Sequence, residues 1–238
     1  MYNAWCSARK NGLKPDLFEN LVPSAHILPG AGTMTSPPTK NPLRSAKAGL
    51  RKLIEGNDRF VRGQARFPTV CKEVLASLAK GQQPYATILG CSDSRVPPEL
   101  IFDAEFGELF IVRVAGNVIS PEVMGSLQYA GTHLHTPLFV VLGHEGCGAV
   151  KAALEFKYHR VKQRSRIQIL VENIAPGLPA SDPRLPKDEL LAAAVEANVR
   201  WSMHQLQQTP EGKKAVKRGT QLVGAIYEIG SGRVRFLF

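Results

Sequence analysis

The sequence predicts an α/β fold: a central, mostly parallel sheet flanked by helices, with an N-terminal helical arm and a C-terminal β-hairpin. Three observations predict it. Short apolar runs at 86–89, 109–112 and 138–142 have strand length and fall far below the ~20 residues that cross a membrane as a helix. Helical periodicities lie between these runs, the alternation that builds a parallel sheet covered on both faces. The chain closes on two β-rich runs separated by Gly230-Ser231-Gly232, the signature of a hairpin.

The elements follow in order. Residues 1–43 carry Pro15, Pro23, Pro29, Pro37, Pro38 and Pro42 without a sustained period, so they read as an arm, and residues 44–238 as a single domain. Met34 offers an alternative start. From Ser45 the positions Leu50, Leu53, Ile54, Phe60 and Val61 recur at helical spacing, and a second helix spans 72–80 with Gly81 as its stop. Strands are expected at 85–90 and 109–114. Ser120-Pro121 is an N-cap and first-turn signature that opens a helix through Met124, Leu127, Ala130 and Leu134. A third strand spans 137–143, and helices follow at 149–156 and 167–173. A proline-rich connection at 176–186 precedes a long helix with Leu191, Val195, Val199, Met203 and Leu206 on one face. Thr209-Pro210 opens a last helix, and 222–229 with 234–237 forms the hairpin.

Composition narrows the function. The formal charge is +10, but nine of the ten net charges lie before residue 61 or after residue 209. The middle of the chain is nearly neutral, and the basic flanks lack interleaved aromatics, so nucleic acid is not the expected partner. No membrane span is expected either. The cysteines Cys6, Cys71, Cys91 and Cys147 suggest no convincing disulfide pair, and no secretory signal is evident, so a reducing cytoplasmic location is the expectation.

Two stretches carry the chemistry: Cys91-Ser92-Asp93-Ser94-Arg95 and Gly143-His144-Glu145-Gly146-Cys147-Gly148. Cys91, His144 and Cys147 together are the donor set that Zn2+ prefers, two thiolates and an imidazole. Each falls at the carboxyl end of a predicted strand, where sites form in open α/β sheets. A lone cysteine at a strand end is more often a small buried hydrophobe, and it is the joint pattern that signals a metal. Asp93 can accept a hydrogen bond from a metal-bound water and orient it, while Arg95 offers the planar fork that holds Asp93 off the metal. Two thiolates donate strongly, so the bound water is expected to be less acidic than at an all-histidine site, with activity rising on the alkaline side. His26, His133, His135, His159 and His204 read as structural or surface residues. The run Lys157, Arg160, Lys162, Arg164 and Arg166 reads as a solvated helical face.

At these motifs the chain resembles the β-class carbonic anhydrases, from about Ser45 to Leu237. Further shared stretches are Gly107-Glu108-Leu109-Phe110 with Arg113 and Asn117, and Gly125-Ser126-Leu127-Gln128-Tyr129-Ala130. The resemblance implies zinc on Cys91, His144 and Cys147, Asp93 paired with Arg95, and reversible hydration of carbon dioxide to bicarbonate and a proton by metal-bound hydroxide. It also implies a substrate pocket lined by Gln82, Phe110 and Tyr129, at the interface of a homodimer or higher homo-oligomer. Members with a closed resting site carry a Trp three residues before the first Cys. Ile88 stands there, which implies the open type, while Arg113 is common to both types. Two alternatives remain: hydrolysis of carbonyl sulfide or carbon disulfide on the same site, and a noncatalytic zinc-stabilised binding protein.

Overall fold

The computed structural model describes residues 45–66, 72–180 and 185–238. The arm with Cys6 and His26 lies outside the described residues, as do Cys71 and part of the connection at 176–186. Helices α1 (Ala46–Val61) and α2 (Lys72–Leu78) lead into β1 (Ala86–Gly90), α3 (Pro98–Ile101), β2 (Leu109–Arg113) and a 3-10 turn at Ala115–Asn117. Then come α4 (Pro121–Thr132), β3 (Leu138–His144), α5 (Gly148–His159), α6 (Ser165–Ile174), α7 (Lys187–Gln208), α8 (Pro210–Lys217), β4 (Gln221–Tyr227) and β5 (Val234–Leu237).

Local chemistry starts these helices where the sequence places them. The Ser45 hydroxyl accepts the Ala48 amide at 3.1 Å, and the Ser120 hydroxyl accepts that of Val123 at 3.4 Å. Each satisfies one of the amides that a helix N-terminus leaves without an intrahelical partner. Pro121 and Pro210 occupy first-turn positions, where no amide is needed.

The strands lie in the order β2-β1-β3-β4-β5, parallel except for the antiparallel β4–β5 pair. Successive side chains of β1 and β3 alternate between two cores, as the two-residue period of a strand demands. Ile88, Leu138, Val140 and Leu142 pack with Leu53, Ile101 and Phe102 under α1 and α3. Leu89 and Val141 face the opposite core with Val150, Ile174, Val195 and Val199 of α5, α6 and α7. Both faces are therefore dry, and the strands read as continuous apolar runs.

Several expectations shift. The second helix ends at Leu78 instead of residue 80. The third strand runs one residue later than expected, so His144 is itself its last residue. The short α3, begun by Pro98, is not expected from the sequence. The basic run is not one helical face: α5 ends at His159, Arg160 adopts a left-handed conformation, and α6 begins at Ser165. Lys157 donates to the Leu178 carbonyl at 2.6 Å.

Asp103, buried after α3, ties the first core together. Its carboxylate accepts Arg59 Nε at 2.5 Å, the Arg66 amide at 2.8 Å and Arg66 Nε at 3.1 Å. Burial alone pushes this carboxyl up, but the hydrogen bonds from Arg59 and Arg66 outweigh it and hold the group below the usual carboxylate range. A carboxylate whose pKa is lower in the folded state than in the unfolded chain contributes stability that is complete above the unfolded value, about 3.9 for Asp, and lost as pH falls through the folded one. Urea unfolding at a series of acidic pH values should therefore show a loss of stability on acidification, and Asp103→Asn should flatten that slope while lowering stability at neutral pH.

Candidate metal centre

Strand register brings the two chemical motifs together. Gly90 at the end of β1 pairs with Leu142 of β3, so the next residue, Cys91, stands beside the end of β3 where His144 lies. Cys147 follows as the N-cap of α5. The two sulfurs and an imidazole nitrogen lie within 4.8 Å of one another, and all three residues are buried.

The imidazole defines what the cluster lacks. His144 Nδ1 lies 3.0 Å from the Glu145 carbonyl, an acceptor, so Nδ1 carries the hydrogen and Nε2 is left with its lone pair. Nε2 is buried and has no hydrogen-bond partner. Buried polar atoms are satisfied in the great majority of cases, and a lone pair facing two sulfurs fits a cation. The sulfurs agree with this. The hydrogen bond from Cys147 lowers Cys91 to about 4, against the opposing effect of burial, with His144 and the Gly116 and Asp93 amides assisting. Cys147 is pushed far up by donating to Cys91 and by burial. A divalent ion would bind both sulfurs as thiolates. Burial lowers the His144 pKa, but the neighbouring Cys91 sulfur and its charge outweigh this and raise it.

The other half of the first motif makes the charged rim. Arg95 Nε donates to Asp93 Oδ1 at 2.9 Å and Nη2 to Oδ2 at 2.8 Å, and the Arg95 amide adds a bond of 3.0 Å to Oδ1. This fork holds the Asp93 carboxyl well below the usual range despite some desolvation. Asp93 Oδ2 stands 4.0 Å from His144 Nε2. Arg113, at the end of β2, donates from Nε to the Cys91 carbonyl at 2.9 Å and from Nη2 to the Asp93 carbonyl at 2.5 Å, which pins the loop between them.

The expected substrate residues do not join this cluster within one chain. Phe110 and Tyr129 meet each other, ring centroids 6.1 Å apart. Phe110 pairs with Thr87, four residues before Cys91 on the strand, a distance of roughly 13 Å at 3.3 Å per residue. Gln82 is exposed ahead of β1. His133, which reads from sequence as a helix-end residue, packs against Tyr129 with the rings tilted and their centroids 5.0 Å apart. Its spacing of four from Tyr129 is the signal that points to the contact.

Three residues escape sequence reasoning. The Gly116 amide donates to Cys91 Sγ at 3.3 Å. Asn198 and Ser202, both buried on α7, hold the turn that carries it. No motif marks them, because an amide and a hydroxyl within a long helix read as surface.

The carbonic anhydrase family model matches residues 86–234. Among curated relatives, carbonic anhydrase 2 of Mycobacterium tuberculosis is 39% identical over 198 residues, 82% of this chain and 93% of that protein. A carbonic anhydrase of Mycolicibacterium smegmatis is 40% identical over 202 residues, 83% of this chain and 94% of the relative. A solved β-carbonic anhydrase of Aspergillus fumigatus superposes with a TM-score of 0.63 at 30% identity, covering 80% of this chain and 89% of its own.

The cluster should retain a divalent ion through desalting, measured by elemental analysis. His144→Ala and Cys147→Ser should each weaken retention by more than the roughly 10–100-fold that loss of an outer-shell partner costs.

Proposed function

The chain belongs to the carbonic anhydrase family, in its β class, and on that premise we propose that it holds zinc on Cys91, His144 and Cys147 and hydrates carbon dioxide reversibly to bicarbonate and a proton. The observation that carries this reading is the buried meeting of two sulfurs with a partnerless imidazole nitrogen, beside a carboxylate held by an arginine fork. Zinc suits the donor set, since soft thiolates and imidazole select it over the hard cations that prefer oxygen. Bound there, zinc supplies the Lewis acidity that makes hydroxide available from water near neutral pH.

The chain's own residues do the rest. Asp93 stays ionised and therefore acts only as an acceptor, taking a hydrogen bond from the attacking hydroxyl and aiming its lone pair at carbon. Arg95 holds both carboxylate oxygens and keeps Asp93 from turning toward the cation, which is the open resting arrangement. A C–O bond forms as one C=O π bond of carbon dioxide opens onto oxygen, and the proton from water passes to solvent. Two anionic sulfurs weaken the acidity supplied at the centre, so activity rises on the alkaline side.

Carbon dioxide would lie in a pocket shared between two copies. Phe110 and Tyr129 are gathered on and beside β2, the outer strand of the sheet, where residues 109–112 are apolar yet only half-buried. They stand too far along the sheet to serve their own centre, and with Gln82 they supply the wall of a partner's site. The active unit is thus a homodimer or a higher assembly. No helix among the described residues is long and apolar enough to cross a membrane, and ligand thiols that must stay reduced suit the cytoplasm.

Stopped-flow hydration beside sulfide release from carbonyl sulfide and carbon disulfide tests the reaction; abundant sulfide with negligible hydration would falsify it. Arg95→Ala should lower hydration by roughly 100-fold, the scale of a misplaced catalytic group, with zinc retained. Co-expressing Tyr129→Ala with Cys91→Ser chains should restore one intact site per hybrid dimer, well above either variant alone. No gain in the hybrid would place the pocket within a single chain.

A further inference from the structure

Resting on the metal reading above, we infer that Asn198 is a positioning residue of the metal centre, acting on the Cys91 sulfur through the backbone of Gly116. Asn198 Nδ2 donates to the Gly116 carbonyl at 2.8 Å, and the amide of the same residue donates to Cys91 Sγ at 3.3 Å. Gly116 sits at φ +68, a left-handed conformation that a side chain would strain, and a Cβ there would lie 2.6 Å from Ile174 Cδ1. A glycine so free in φ and ψ aims its N–H only if something fixes its carbonyl. Asn198 does this from a buried position on α7.

One face of α7 continues the support. Ser202, one turn on, donates to the next carbonyl, that of Asn117, at 3.0 Å. Asn117 is itself left-handed, with φ +43. Val195 and Val199 lie against Gly143, the residue before His144, where a Cβ would meet Val199 at 2.6 Å. Positions 195, 198, 199 and 202 follow the helical spacing of a single stripe. Two of them support the approach to His144, and two hold the turn that faces Cys91. The N–H aimed at sulfur withdraws charge from a ligand in a site with two anionic sulfurs, so its placement sets how strongly Cys91 donates to the metal.

The test uses the full chain with Co2+ in place of zinc, read by the thiolate-to-cobalt absorption in the near ultraviolet. Asn198→Ala and the volume-matched Asn198→Leu should shift that band and weaken cobalt retention against a chelator by roughly 10-fold. Leu206→Ala, a core truncation at the far end of α7, should leave both as in the wild type. Wild-type absorption with unmoved Asn198 variants would overturn the inference alone, whereas a wild type that gives no such absorption would remove the metal reading beneath it. Should neither Asn198 variant fold, the Gly116 amide in the wild-type, cadmium-bound protein decides: slow hydrogen exchange supports the placement, and exchange as fast as in an open loop overturns it.

Discussion

A buried imidazole nitrogen with no hydrogen-bond partner is the constraint around which the rest of this molecule is arranged. His144 Nε2 is shut away from water among sulfurs. Leaving such a group unpaired is costly, and a divalent ion bound to two thiolates and the imidazole relieves the desolvation of all three. The Glu145 carbonyl selects the tautomer that makes the lone pair available. Burial that would be a defect in an ordinary core would here be the source of metal affinity.

Around this centre the polypeptide commits hydrogen bonds to backbone position. Arg113 pins the carbonyls of Cys91 and Asp93, Arg95 grips the Asp93 carboxylate, and α7 reaches the turn whose amide faces Cys91. Bonds that involve a charged or buried group are the stronger ones, and each acts on a loop that follows a parallel strand. Loops at strand ends have little geometry of their own. A rigid site on them therefore needs ties to the rim arginines and to a helix packed across the sheet.

In the proposed assembly the outer strand β2 would link this chemistry to a second copy. Its side chains are half-buried in one chain, and an exposed apolar edge is a liability unless something covers it. Phe110 lies on that strand beside Tyr129 and far from the cysteine it follows in sequence. In the proposed dimer a second copy covering the edge would bring these rings to its own metal centre, and one surface would serve both stability and substrate.

Much of the scaffold is legible in the order of residues. The alternation of strand-length apolar runs with helical stripes specifies a doubly covered parallel sheet, because burial on both faces keeps the bodies of β1 and β3 almost wholly apolar. Cys91, His144 and Cys147 stand out because few residue types can ligate a soft cation, and Asp93 and Arg95 because they sit within four residues of the first ligand. Asn198 and Ser202 do not stand out: their roles depend on which helix crosses the sheet above the 115–117 turn, a relation between residues more than 80 positions apart. Likewise the separation of Phe110 from the metal cluster follows from strand register, and Tyr129 stays beside Phe110. Residue types, read along the chain, establish which atoms can bind a metal and on which kind of scaffold, since donor chemistry and burial period belong to the residues themselves. Which backbone groups face those atoms, and which side chains stay apart, is settled in three dimensions, because contact across a sheet is set by packing and register.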